Sequence, residues 1–259
     1  MARPKIALVL GAGSARGLAH IGVLQVLEEH SIPFDFIVGS SMGAMVGGIY
    51  ACGTNLKLLD KMIESINHNL FFDVRIPRFG FIAGKKISSF LQLVTKNQGF
   101  SDLKLPLSVV ATDLITGQGV IIEEGLVCEA IRASISIPGV FNPVVKEEQV
   151  LVDGAVADRL PISVARDKGA DIVMAVDVTF GENREVKIKN TLDVIMTALD
   201  IMQKQQFDLI SSNADILIQP DVSNYSPRDF ESSREIIDLG RTATIEMLPL
   251  IKKKIAECI

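Results

Sequence analysis

Histidine is scarce in this 259-residue chain: His20, His30 and His68 are the only three, and none lies in the second half. A hydrolase triad of the α/β type runs Ser, then Asp or Glu, then His. Every plausible acidic partner in the second half follows the last histidine, so that order cannot be built. His20 sits on an apolar helical stretch and His30 closes it, which suits packed or helix-terminal histidines, while His68 falls in a polar turn. Cysteine is scarce as well. Cys52, Cys128 and Cys258 are odd in number, widely spaced and without metal-ligand spacing. That excludes a disulfide framework and a readable zinc site, and fits reduced thiols in the cytoplasm. No metal or cofactor is expected. The chain also lacks a long basic stretch and carries a net charge of -5, so nucleic acid is excluded as a partner.

Long hydrophobic runs are missing too. The basic start, Met1 to Lys5, is followed by only five apolar residues before Gly11, with no cleavage pattern, so export is not expected. Phe36 to Leu56 is uncharged for 21 residues, with Gly39, Gly43 and Gly47 at the spacing of a membrane packing face. Five glycines with Ser40, Ser41, Thr54 and Asn55 dilute its hydrophobicity. The stretch therefore reads as a buried strand followed by a close-packed helix.

What is present is a large core. Hydrophobic residues make up 48% of the chain, and no repeat or low-complexity linker divides it, so one α/β domain over residues 1–259 is expected. The first unit reads strand (Ile6 to Leu10), glycine loop (Gly11 to Gly17), helix (to Glu29) and strand (Phe34 to Val38), a βαβ unit. Helices are expected at Gly43 to Ala51, Leu56 to Ile66, Lys85 to Lys96, Val127 to Ala133 and Pro161 to Lys168, with long ones at Thr191 to Ser211 and Ser233 to Ile259. Further strands are expected at Leu107 to Ala111, Val120 to Ile122, Val150 to Val152 and Ile172 to Val176. The C-terminal helices suit completion of the core or an interface equally, so no oligomeric state follows from them.

At the end of the second strand stands Gly39-Ser40-Ser41-Met42-Gly43, a Gly-x-Ser-x-Gly pattern at a strand-to-helix junction. A nucleophile elbow requires that junction, and Gly39 and Gly43 remove Cβ atoms that would clash as the Ser41 hydroxyl is pushed outward. With no histidine to serve it, the proton of Ser41 must go to a carboxylate. Gly11 to Gly17 joins the first strand to the first helix, where N–H groups converge on a small anionic site. A dinucleotide loop would also need an acidic residue ending the second strand, and Ser40-Ser41 stand there instead. An oxyanion hole needs only two well-aimed donors, and parallel winding sets both loops on one sheet edge. Asp153 follows the candidate strand Val150 to Val152, and Gly154-Ala155 let its carboxylate approach another loop closely. Asp113 is a second strand-end carboxylate, read as structural or supporting.

With these three motifs in order, the chain resembles bacterial members of the patatin-like phospholipase family. That family has a glycine-rich oxyanion loop of the form Gly-Gly-Gly-x-Arg/Lys-Gly, a Gly-x-Ser-x-Gly elbow and an Asp-Gly-Gly/Ala triplet. The likeness extends to His20 to Leu24, Ala133 to Pro138 and Leu160 to Asp177, and covers Ile6 to Val178. Two positions depart from it: aligned on Arg16-Gly17, the first and third loop glycines are Ala12 and Ser14. Backbone donors survive both changes, but a third position that requires positive φ would strain Ser14.

The resemblance implies a mostly parallel central sheet flanked by helices. It also implies hydrolysis of acyl esters in phospholipids or lysophospholipids by a Ser-Asp dyad. Ser41 would be the nucleophile, Asp153 the base, and Gly13 and Ser14 the oxyanion donors; Arg16 would hold an anion or make a structural ion pair. Phe71, Phe72, Phe79 and Phe81 alternate with Arg75 and Arg78. The mixture suits an interfacial flap at the inner face of the membrane, or equally a loop that caps the core. A different class, a non-catalytic protein that senses an acyl ligand, draws its support from Ala12 and Ser14. A nucleotide-dependent oxidoreductase is the third reading.

Overall fold

The computed structural model describes residues 3–65, 80–82, 84–179, 188 and 191–258. β1 (Ile6–Leu10) is an apolar run buried at every position. A 3-10 turn over Ser14–Leu18 leads into α1 (Ala19–Glu29). β2 (Phe36–Ser40), also fully buried, passes through Ser41 directly into α2 (Met42–Ala51). α3 (Leu56–Ser65), the short β3 (Gly80–Ile82) and α4 (Lys85–Val94) follow. β4 (Leu107–Asp113) and β5 (Gly119–Ile122) form a hairpin, and α5 (Val127–Ser134) comes next. Then come β6 (Gly139–Phe141), β7 (Val144–Lys146), β8 (Gln149–Asp153) and α6 (Ile162–Asp167). The remaining elements are β9 (Ile172–Val176), α7 (Thr191–Ser211), β10 (Ile216–Ile218) and α8 (Ser233–Glu257).

The main sheet runs β10-β9-β1-β2-β4-β8-β7, with β5 added to β4. β10, β9, β1, β2 and β4 are parallel, as the continuous apolar runs suggest for strands covered on both faces. β5 and β8 run antiparallel to β4, and β7 antiparallel to β8, so the sheet is mixed at one end. Alternate side chains divide between two cores. Ile6, Leu8 and Leu10 join the one built with α1 to α5 and α8, while Ala7 and Val9 join the one built with α6 and Phe207 of α7. α8 buries Ile236, Ile237 and Ile251 in the first core, so this helix completes it. Phe36 to Ala51 is β2, Ser41 and α2, almost entirely buried, a turn separates it from Leu56 at the start of α3, and among the described residues no helix is long and apolar enough to cross a membrane.

One feature of the pairing sets the site. Val109 and Val110 of β4 pair with both β2 and β5, and Ala111 and Thr112 pair with both β5 and β8. A strand has two edges, so β2 and β8 must share the edge opposite β5. β2 leaves that edge at Ser40, opposite Val110, and β8 ends on it from the other direction at Asp153, opposite Ala111. The two strand ends meet nose to nose.

This junction is tightly packed. A Cβ on Gly43 would lie 2.0 Å from the Leu10 carbonyl oxygen, and one on Gly39 would lie 2.6 Å from the Ala44 Cα. Backbone cannot yield as a side-chain tip can. Gly43→Ala is therefore expected to lower stability in chemical denaturation by at least about 3 kcal/mol. Gly117→Ala, at φ +71° with open space around it, is expected to cost about 1 kcal/mol from backbone strain alone.

Candidate active site

Ser41 stands at φ 53°, ψ -119°, a conformation that persists only where surrounding structure imposes it. Its N–H donates to Ser134 Oγ (2.8 Å), and the Ser134 hydroxyl donates to the Val110 carbonyl (2.6 Å). The elbow is thereby tied to α5 and β4 together. Ser41 occupies the N-cap position of α2 but makes no capping bond; its hydroxyl donates instead to Asp153 Oδ2 at 2.6 Å. The positive end of α2 abuts the same residue.

Asp153 is held at every polar atom. Its N–H donates to Ser136 O (3.0 Å), its carbonyl accepts from Thr112 Oγ1 (2.9 Å), and Oδ1 accepts from the Ala155 N–H (2.9 Å). A Cβ on Gly154 would meet the Val110 oxygen at 2.2 Å, so only glycine lets the turn lie against β4. Asp153 is 4% exposed. Burial pushes its pKa up to about 6, against the opposing pull of the Ser41 and Ala155 hydrogen bonds and the Arg159 charge.

The glycine loop faces this pair. Ala12 N–H donates to Arg159 O (2.9 Å) and Ala15 N–H to Pro227 O (3.0 Å). Between them, the Gly13 and Ser14 N–H groups have no acceptor among the described residues. A Cβ on Gly13 would lie 2.3 Å from Val178 Cγ2, and Ser14 has φ 52°, so the third loop position does demand the left-handed conformation and Ser14 carries its strain. Gly13, Ser14, Ser41 and Asp153 together line a cleft of about 30 Å³.

Arg16 also lines this cleft, at 1% exposure. It donates to Thr179 O (3.2 Å) and ion-pairs with Asp200 of α7 (3.5 Å). Asp200 also pairs with Arg159 (2.8 Å), whose Nε donates to Thr179 Oγ1 (2.9 Å) and whose Nη1 donates to Gln203. One carboxylate thus binds the loop after β1 and the turn after β8 to α7.

Other candidates lie apart. His20 is fully buried and donates through Nε2 to Gly11 O (2.8 Å); burial lowers its pKa to about 4, so it stays neutral and steadies the loop. His30 caps the end of α1. Burial raises the Asp113 carboxyl, but hydrogen bonds from Val150, Ile115 and Thr116 outweigh it and hold the pKa low, so this residue organises the β4–β5 turn. His68, Phe71, Phe72, Arg75, Arg78 and Phe79 lie outside the described residues, as does the side chain of Phe81 in β3. Ser134, Arg159 and Asp200 were not singled out by the sequence. Ser134 lay within a stretch noted for resemblance alone, and Asp200 shows only as an acid on a helix 47 residues beyond Asp153.

Residues 8–166 match the patatin-like phospholipase family model, and the chain belongs to that family. It is 37% identical over 182 residues to an uncharacterized NTE family protein of Mycobacterium tuberculosis (strain ATCC 25618 / H37Rv), covering 69% of this chain and 50% of that protein. It is 27% identical over 267 residues to lysophospholipase NTE1 of Scheffersomyces stipitis, covering 91% of this chain and 17% of that protein. The chain therefore spans half or less of these relatives' lengths. Among solved structures, VipD from Legionella pneumophila shares the fold with a TM-score of 0.67 at 14% identity, over 95% of this chain and 67% of that one.

Two outcomes test the geometry. Ser134→Ala removes the acceptor of the Ser41 N–H, and is expected to cost about 1–3 kcal/mol in denaturant unfolding. Asp153 has a higher pKa folded (about 6) than unfolded (about 3.9), so the folded state holds the proton more tightly and stability falls as pH rises between those values. Asp153→Asn keeps the shape without the charge. In thermal unfolding it is expected to exceed wild type at pH 8, by a margin on the order of 3 kcal/mol, and to lose that margin near pH 4.

Proposed function

We propose that this chain is a serine hydrolase that cleaves acyl esters of phospholipids or lysophospholipids through an acyl-enzyme, with Ser41 and Asp153 as its dyad. The observation that carries the reading is the 2.6 Å hydrogen bond from Ser41 Oγ to a buried carboxylate, with no histidine between them. Family membership and the lysophospholipase name of the fungal relative support the substrate class.

The chemistry follows from the residues. Ser41 Oγ attacks the ester carbonyl as its proton passes to Asp153 Oδ2. The carbonyl oxygen gains negative charge and is met by the Gly13 and Ser14 N–H groups, which have no acceptor among the described residues and so need no reorganisation. When the tetrahedral intermediate collapses, the ester C–O bond breaks and Asp153 returns the proton to the departing alcohol. A water that gives its proton to Asp153 then attacks the acyl-enzyme; collapse releases the fatty acid and restores Ser41. A carboxylate of pKa about 6 is a stronger base than an ordinary aspartate and is still ionised at pH 7. The substitutions at Ala12 and Ser14, which favoured a non-catalytic reading, leave both donors available, so that reading loses its support.

Intact-mass analysis after fluorophosphonate treatment tests the proposal. Wild type is expected to gain one adduct, Ser41→Ala none, and Asp153→Asn to label at least about a hundredfold more slowly, with all three folded by circular dichroism. Because the base must be ionised, hydrolysis of lysophosphatidylcholine is expected to fall below a midpoint near pH 6 and level off above it. A folded wild type that neither labels nor hydrolyses would sink the dyad.

A further inference from the structure

Asp153 takes its main-chain anchor from the Ser136 carbonyl, and Ser136 lies in the segment that leads from α5 through β6 to Asn142. The same segment carries Ile137 and Pro138, which line the cleft beside Ser41. Whatever holds this segment therefore sets both the base and one wall of the site. Its strand, β6, is three residues long and belongs to a two-stranded sheet with β3, a weak anchor by itself.

Arg132 supplies a stronger one. It stands in the last turn of α5 at 8% exposure, and its guanidinium reaches both ends of the segment. Nη1 donates to Ser136 Oγ (2.5 Å) and Nη2 to the Asn142 carbonyl (3.1 Å), while Cζ lies 5.2 Å from the centre of the Phe141 ring. The Ser136 hydroxyl donates in turn to the Arg132 carbonyl (2.8 Å). Gly84, ahead of α4, leaves room for the side chain: a Cβ there would lie 2.4 Å from Nη2. A planar fork that grips two points at once is what lysine lacks. The end of α5 thus serves both members of the dyad. Ser134 holds the Ser41 N–H, and Arg132, through Ser136, steadies the anchor of Asp153.

We propose that Arg132 is a positioning residue for the Asp153 base: by clamping Ser136 to Asn142 it fixes the carbonyl that anchors Asp153 and holds Ile137 and Pro138 at the cleft. The inference rests on the serine hydrolase reading, which gives Asp153 its role. Arg132 acts by place rather than by charge. Burial, the Ser41 hydroxyl, the Ala155 N–H and the Arg159 charge act on the carboxyl, whereas Arg132 grips the segment behind it. The two modes have opposite signs. Loss of a nearby cation raises a carboxyl's pKa, while loss of burial admits water and lowers it toward the ordinary value.

Arg132→Met keeps the length of the side chain and removes the fork. In infrared difference titration against Arg132→Met/Asp153→Asn, its Asp153 midpoint is expected to move down from near pH 6 by at least about one pH unit. Its kcat on p-nitrophenyl acetate at pH 8 is expected to fall at least about tenfold, with KM within about twofold of wild type. Arg132→Lys restores the charge without the fork and is expected to recover neither the midpoint nor the rate. A midpoint that stays near pH 6 or rises overturns the proposal, as does full recovery by Arg132→Lys. If Arg132→Met fails to fold by circular dichroism, Ser136→Ala carries the test, since it removes the hydroxyl that Arg132 grips and keeps the carbonyl that holds Asp153. It is expected to move the midpoint the same way and to lower kcat about threefold; wild-type values in this variant overturn the proposal. The infrared midpoint is read without turnover, so a downward shift beside a wild type that cleaves no ester would refute the hydrolase reading and leave the clamp on Asp153 standing.

Discussion

The edge of β4 is the constraint on which the site depends. Two strands share it end to end, one parallel and one antiparallel, and their ends at Ser40 and Asp153 oppose neighbouring residues, Val110 and Ala111. This brings together a serine and an aspartate 112 residues apart in sequence. It also buries them, because the junction lies in the sheet between helical layers. The burial that positions the carboxylate is the same burial that raises its basicity. A solvated aspartate in hydrogen-bond contact with the same hydroxyl would be a much weaker base.

The other half of the site is made by clamping. The loop after β1 is fastened on one side by Arg159 O and on the other by Pro227 O, and the two N–H groups between those anchors have no acceptor among the described residues. Such an arrangement stores unsatisfied donors and a left-handed serine in one loop, which only a rigid surrounding can hold. Asp200 contributes to that rigidity through Arg16 and Arg159. Buried ion pairs add little net stability, because desolvation offsets much of the attraction, but breaking one leaves a costly lone charge. The cluster therefore fixes geometry rather than strengthening the fold.

Much of this was legible in the sequence. β1, β2, β4 and β9 are continuous apolar runs, and α7 begins and ends where its periodicity does. The elbow and the glycine loop are local patterns, so their residues could be named before their partners were known. The strands β3, β6, β7 and β10 were missed: each spans three residues, too short to establish a period of two. Ser134 and Asp200 were missed for a different reason. Their roles come from contacts across 93 and 184 residues, which no local pattern encodes. The strain at Ser14 could be foreseen only as a condition on the loop's backbone, and the φ of 52° supplies the condition.

The proposed chemistry turns on one quantity, the basicity of the buried Asp153. Infrared difference titration of wild type against Asp153→Asn reads it directly, through the carbonyl band of a protonated carboxyl that only the wild type can show. This band is expected to disappear with a midpoint near pH 6. A carboxyl already ionised at about pH 4, like an ordinary aspartate, would contradict it and leave Ser41 without its base.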